Sequence, residues 1–262
     1  MNDEVDPVVR DLLQETASLG DLLSSLGPDE WARPTPAAGW DVADQVIHLG
    51  LFDRRCMWSM VDEQRFRDDL REMMALGGVD ALHDRHRGMS PAELLSWWEQ
   101  GVDDLVAAAS SVDMKKRCAW YGPSMSARSM LTARFMETWA HGLDVTDGLG
   151  AHRDDTDRIF HVAHIGVRAM PFAFATNGRE QPADEVYVEL VSPGGYVWTW
   201  GPTDASSSVR GTASGFCRAV TQRRHVNDCG LAIVGEPATE WMSIAQAFAG
   251  PPGEGRKEGQ FD

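Results

Sequence analysis

The sequence predicts two domains, a helical bundle followed by an α+β module on a small, mostly antiparallel sheet. Three observations carry this. Over the first ~150 residues, apolar side chains recur at helical spacing in four long runs. Beyond residue 155, β-rich segments appear instead, Val186-Tyr-Val-Glu-Leu-Val191 and Tyr196-Val-Trp-Thr-Trp200, flanking the turn Ser192-Pro-Gly-Gly195. The 262 residues also accommodate two domains at roughly 100–200 residues each. The boundaries read as 1–154 for a four-helix bundle, 155–250 for the α+β domain and 251–262 for a flexible tail. No internal repeat is present.

The first helix spans 5–26, with Val5, Val8, Val9, Leu12, Leu13, Leu19, Leu22, Leu23 and Leu26 on its apolar stripe, and stops at Gly27-Pro28. A loop holds Pro34 to Trp40. Asp41 then caps a second helix, with Asp44 in its first turn, where an acid favours the helix N-terminus. Residues 65–89 form a charged connection with one helix of its own. Ser90-Pro91-Ala92-Glu93 is a capping box with proline at the first helical position, and opens the third long helix. Pro123-Ser124 opens the fourth, which ends near Gly148 or Gly150. Four long helices so connected predict a four-helix bundle. In the second domain a helix is expected over 156–172 and a polar loop over 177–185. The two strands follow, then a Gly/Ser-rich stretch to Gly211. A helix through Phe216 and Val220, a strand at 231–234 and a helix over 237–248 complete it.

Composition excludes several function classes. Lys plus Arg number 24 and Asp plus Glu 40, a net charge of −16 that repels nucleic-acid phosphates and anionic lipid. No apolar stretch approaches the ~18 residues of a membrane span, and the N-terminus has no basic-then-apolar leader pattern, so a cytoplasmic protein is expected. Cys56, Cys118, Cys217 and Cys229 match neither a zinc-finger pattern nor a CxxC pair and read as reduced, inert thiols. There is no GxGxxG after a strand, Walker loop, HExxH or GxSxG elbow.

The chemically informative segment is Glu137-Thr138-Trp139-Ala140-His141-Gly142-Leu143-Asp144. Glu137 and His141 are four apart and share a helix face. With His48 of the second helix they make a two-histidine, one-carboxylate set with an open position, the pattern of a catalytic rather than a structural cation site. Asp144 is placed to orient His141 from behind. The same E-x-x-x-H spacing also serves ordinary helix-surface contacts. His83 and His86 form a weaker metal candidate in a charged connector and read as solvated.

Two stretches carry a family resemblance. Trp40-Asp41-Val42-Ala43-Asp44-Gln45-Val46-Ile47-His48-Leu49 resembles the second-helix motif of the DinB-like superfamily, of the mycothiol-dependent maleylpyruvate isomerase N-terminal type. Trp120-Tyr121-Gly122-Pro123-Ser124-Met125-Ser126-Ala127, followed by Met136 to Asp144, resembles an actinobacterial two-domain, metal-binding subfamily. Its C-terminal domain, matched here over 211–250, is similar to sterol-carrier-like modules and carries the label wyosine base formation. The resemblance implies a Zn2+ site on His48, Glu137 and His141, although the ligand set suits Ni2+ or Fe2+ as well. It implies a low-molecular-weight thiol co-substrate, typically mycothiol, and an arginine at a helix end like Thr221-Gln222-Arg223. Arg223 is the counterpart, with Arg224 as competitor. The expected function is a zinc-dependent thiol enzyme performing S-transfer or thiol exchange on an electrophilic small molecule. The alternatives are a mycothiol-dependent cis–trans isomerase of maleylpyruvate type, a non-catalytic small-ligand-binding protein and a metal-dependent hydrolase. The expected partners are small molecules, in a monomer or homodimer.

Overall fold

The computed structural model describes residues 6–253 and 255–261. The chain divides into two compact units, Met1–Arg153 and Asp154–Asp262.

In the first unit, four long helices enclose the core: α1 (Pro7–Ser24), α3 (Val42–Val61), α6 (Pro91–Ser111) and α7 (Ala127–Leu149). Val5, at the expected start of the first helix, lies outside the described residues; Asp6 caps α1 through its carboxylate, which accepts from Val8 N–H. A one-turn helix, α2 (Pro28–Trp31), follows the Gly27-Pro28 break. Asp41 starts α3 by a reciprocal capping box. Asp44 N–H donates to Asp41 at 2.8 Å, and Asp41 N–H donates back to the Asp44 carboxylate at 3.3 Å. Ser90 and Glu93 form the same box at α6. Both α3 and α1 pack against α6 and α7, closing a ring of four. The core includes Leu19, Leu23, Val46, Ile47, Leu49, Trp98, Val102 and Val145. Gly50 lets α3 approach α6 closely, since a Cβ there would overlap the Trp97 ring.

Two features of this unit differ from expectation. The 65–89 connection holds two helices, α4 (Glu63–Ala75) and α5 (Val79–Asp84). Phe66, Leu70 and Met73 give α4 a narrow apolar stripe, easily lost among its charges. Residues 125–126 do not begin the fourth helix. They form β2 (Met125–Ser126), paired antiparallel with β1 (Arg117–Cys118), and Ser126 caps α7. Gly150, in the left-handed conformation at φ 65°, ends α7.

The second unit carries α8 (Phe160–Arg168), α9 (Met170–Thr176), α10 (Ala213–Val220) and α11 (Glu236–Ile244). Its sheet has the order β4-β3-β5-β6, formed by β3 (Val186–Val191), β4 (Val197–Trp200), β5 (Ser207–Thr212) and β6 (Ala232–Val234). The pairs β3–β4 and β5–β6 are antiparallel and β3–β5 is parallel, so the sheet is mostly antiparallel. The expected single helix over 156–172 is broken, a 3-10 turn preceding α8 and Pro171 starting the separate α9. The Gly/Ser-rich stretch contains the central strand β5, where Ser207, Ser208 and Val209 are buried. In the tail, Gly259 N–H donates to the Asp228 carboxylate at 2.9 Å, and the Arg224 guanidinium lies 3.9 Å above the Phe261 ring.

Candidate metal centre

Three side chains from two helices converge inside the first unit. α3 supplies His48, and α7 supplies Glu137 and His141 one turn apart. One ligand atom from each lies within 4.8 Å of the others. Glu137 Oε2 is 3.0 Å from His141 Nε2 and 3.5 Å from His48 Nε2, and the two imidazole centroids are 4.5 Å apart. Tetrahedral ligation at 2.0–2.2 Å spaces donors about 3.4 Å from one another, close to the 3.0 and 3.5 Å between Glu137 and the two imidazole nitrogens.

The neighbouring bonds show what sits between these donors. Thr35 Oγ1 donates to Trp40 C=O at 2.9 Å and therefore accepts from Gln45 Nε2 at 2.7 Å. That fixes the amide, turning Gln45 Oε1 toward His141 Nδ1 at 2.6 Å. With Nδ1 donating to Gln45, the neutral ring presents a lone pair on Nε2 to the Glu137 carboxylate. Two acceptors at that distance repel unless a proton or a cation stands between them. Two imidazole nitrogens and one carboxylate oxygen suit a divalent transition metal.

Electrostatics favours the ligating forms. Burial, with the charge of His141 next, pushes His48 down to about 3, so its ring is neutral at ordinary pH. Burial works to raise Glu137, but its bonds to His141 and His48 overcome that and hold the carboxyl well below its usual value. Behind the cluster, Asp53 and Arg134 form a buried ion pair at 2.8 Å. Trp98 Nε1–H donates to the same Asp53 carboxylate at 3.1 Å, and Arg134 also donates to Leu49 C=O at 3.3 Å. The network joins α3, α6 and α7 around the site and leaves neither charge alone.

Sequence reasoning brought together His48, Glu137 and His141, and the structure places them side by side. It gave Asp144 the role of orienting His141. Asp144 Oδ2 is 3.9 Å from His141 Nδ1, beyond hydrogen-bonding distance, and Gln45 takes that role instead. Gln45, which the sequence reading did not single out, sits three residues before His48 on the same helix face, and that spacing is the signal that points to it. His83 is not solvated but wholly buried, 4.6 Å from the Trp40 ring, whereas His86 bonds Leu82 C=O at 3.0 Å and packs on Trp97, apart from the cluster. Trp40 itself, the residue before the α3 cap, lies against three imidazoles, those of His48, His83 and His141. In the second unit, Arg223 and Arg224 follow the end of α10. Arg223 Nη1 donates to Thr221 C=O and Arg224 Nη1 to Arg223 C=O, and Gln222 between Thr221 and Arg223 has φ 57°.

Fold and cluster together define a helical bundle with a two-histidine, one-carboxylate donor set, joined to an α+β module. The chain belongs to the family described as the mycothiol maleylpyruvate isomerase N-terminal domain, which matches residues 12–146; residues 182–233 match the wyosine base formation family. The chain is 46% identical over 252 residues to an uncharacterized protein of Mycobacterium tuberculosis, in strain CDC 1551 / Oshkosh and equally in strain ATCC 25618 / H37Rv, covering 95% of this chain and 98% of the relative. Two crystal structures share the fold, the mycothiol-dependent maleylpyruvate isomerase and a histidine-to-alanine mutant of it. Their TM-scores are 0.55 and 0.56, at 15% and 14% identity, each covering 90% of this chain and 95% of the other. Among the described residues no helix is long and apolar enough to cross a membrane.

Proposed function

We propose that the protein is a metal-dependent enzyme that uses a low-molecular-weight thiol, mycothiol or a close chemical equivalent, for cis–trans isomerisation of an unsaturated oxo acid of maleylpyruvate type. The observation that carries this is the convergence of His48, Glu137 and His141 on one small volume, in a chain whose architecture is that of a mycothiol-dependent isomerase. The sequence alone put S-transfer to an electrophile first. The shared two-unit architecture favours isomerisation, and transfer is the other outcome of the same assay.

His48, Glu137 and His141 would hold the cation, Zn2+ in the first instance. A divalent cation there favours the thiolate form of a bound thiol over the thiol. The protein's own residues supply the rest. Gln45 keeps the His141 Nε2 lone pair turned inward, and Glu137 offsets cationic charge. Trp40 and Phe52, packed on His48, limit water at the cluster. The four cysteines are buried, with thiols pushed upward by that burial, so none competes as nucleophile. Arg223 is proposed to pair with a carboxylate or developing oxyanion of the substrate.

The test is metal content after purification without chelators, followed by turnover of maleylpyruvate with and without mycothiol. Turnover to the trans isomer that needs both metal and thiol, with the thiol regenerated, supports isomerisation. Consumption of the thiol into a stable adduct replaces it with transfer. Thiol-independent hydrolysis, or a purified protein without divalent metal and without turnover, overturns the reading.

A further inference from the structure

α10 ends in a turn that departs from the usual residue rule. Arg223 N–H donates to Arg218 C=O at 2.9 Å and Gln222 N–H to Ala219 C=O at 3.0 Å, the pair of bonds that closes a helix through one left-handed residue. Glycine usually fills that position, because a Cβ there crowds the following carbonyl. Here it is Gln222, at φ 57°, and among the described residues no other non-glycine has a positive φ. A residue held in this way persists where its surroundings over-determine it.

Two segments supply those surroundings. After α11, Ala245 C=O accepts from Gln222 Nε2 at 3.1 Å, and Ala247 N–H donates to Val220 C=O at 2.8 Å. The C-terminal tail is the second segment. A Cβ on Gly253 would stand 3.1 Å from Gln222 Oε1, so the chain runs close against that side chain. Further on, Lys257 N–H donates to Gln260 Oε1 at 3.1 Å and Gln260 N–H to Lys257 C=O at 3.2 Å, which closes a turn within the tail itself. From that turn Gly259 N–H reaches Asp228, and the Phe261 ring lies 3.9 Å from the Arg224 guanidinium carbon, a cation on the face of a ring. The same guanidinium donates to Arg223 C=O at 2.7 Å. The tail is thus linked through Arg224 to the backbone of Arg223.

We propose that Phe261 is a positioning residue for Arg223. The tail grips Arg224, Arg224 holds the Arg223 carbonyl, and the turn that carries the Arg223 guanidinium is fixed before an anionic substrate group arrives. This rests on the reading that Arg223 pairs with a carboxylate or developing oxyanion of the substrate.

The experiment compares the full-length, zinc-loaded wild type with Phe261→Leu, Phe261→Tyr, Arg224→Gln and the Phe261→Leu/Arg224→Gln double variant. It reads kcat and KM for maleylpyruvate, KM for mycothiol, and the Arg224 side-chain N–H resonance by 15N–1H NMR without substrate. Phe261→Leu keeps an apolar side chain but removes the ring face. It is expected to raise KM for maleylpyruvate by about 2- to 10-fold, with kcat, KM for mycothiol and zinc content little changed, and to move the Arg224 resonance. Phe261→Tyr, which keeps the ring, is expected to recover the wild-type KM and resonance. Arg224→Gln is expected to match Phe261→Leu, and the double variant to add little to either, because both break one linkage. A KM for maleylpyruvate or an Arg224 resonance that Phe261→Leu leaves unmoved overturns the proposal while leaving the function standing. A much larger loss in Arg224→Gln than in Phe261→Leu also overturns it, by making Arg224 itself the group that meets the anion. A wild type that does not turn over maleylpyruvate overturns the functional reading and this one with it.

Discussion

Gln45 Oε1 lies 2.6 Å from His141 Nδ1, so an uncharged amide on α3 sets the tautomer of an imidazole on α7. Losing such an outer partner typically costs about 10- to 100-fold in metal affinity. Gln45→Leu is expected to show a loss of that size for Zn2+ by chelator competition. Asp144→Asn, which alters a carboxylate 3.9 Å from the same nitrogen, is expected to change affinity less. Equal losses in the two variants would return the orienting role to Asp144.

The Asp53–Arg134 pair is expected to hold the bundle together around the site. Asp53→Ala leaves a buried guanidinium without its carboxylate, for a cost of about 3–5 kcal/mol. Urea unfolding measures it. Exposed pairs such as Arg67–Glu63 are expected to contribute no more than about 1 kcal/mol.

The metal-free protein is expected to lose stability as pH falls from about 6.5 toward 3. Burial first, and His141 next, set His48 near 3 in the folded state, whereas the unfolded chain protonates it near 6.5. Between those values the unfolded state binds the extra proton, so acid favours unfolding, with a slope of up to about 1.4 kcal/mol per pH unit from this one group. Urea unfolding in EDTA across that range, for the wild type and His48→Phe, checks it. The variant is expected to have the shallower dependence.

Cysteine reactivity should be low in the native protein. All four thiols are buried, and that burial pushes Cys229 up to about 11. Reaction with a chromogenic disulfide at pH 8 is expected to be slow until denaturant is added, and then to titrate four thiols per chain. Rapid labelling of any one without denaturant would contradict the burial.

Much of this was legible in the sequence because the signals were local. Asp41 with Asp44, and Ser90 with Glu93, announce helix starts by the bonds they make, and the structure contains both capping boxes. Glu137 and His141 lie four apart on one helix, and His48, early on the second long helix, completes their donor set, as the resemblance also implied. What escaped was set by tertiary packing. Ser207 and Ser208 have poor strand propensity, yet β5 is central because it pairs with β3 on one side and β6 on the other. His83, flanked by charges, read as a solvated, weaker metal candidate, and only the folded bundle shows it inside, against Trp40. Gln45 carried a readable spacing, but a glutamine draws notice as an orienting group only once its carbonyl is seen facing a ring nitrogen.

The cap formed by Asp41 and Asp44 has an implication for how this protein can diverge. It decides at which residue α3 begins winding, and Gln45 and His48 follow within its first two turns. One residue inserted between Asp41 and Gln45 would swing both by about 100° around the axis, stripping one imidazole of its place and the other of its guide together. Length changes upstream of Thr35, before the loop whose hydroxyl sets the Gln45 amide and whose Trp40 packs on His48, carry no such penalty, so indels among distant homologues that keep this chemistry should accumulate before that loop and be excluded from it and from the start of α3.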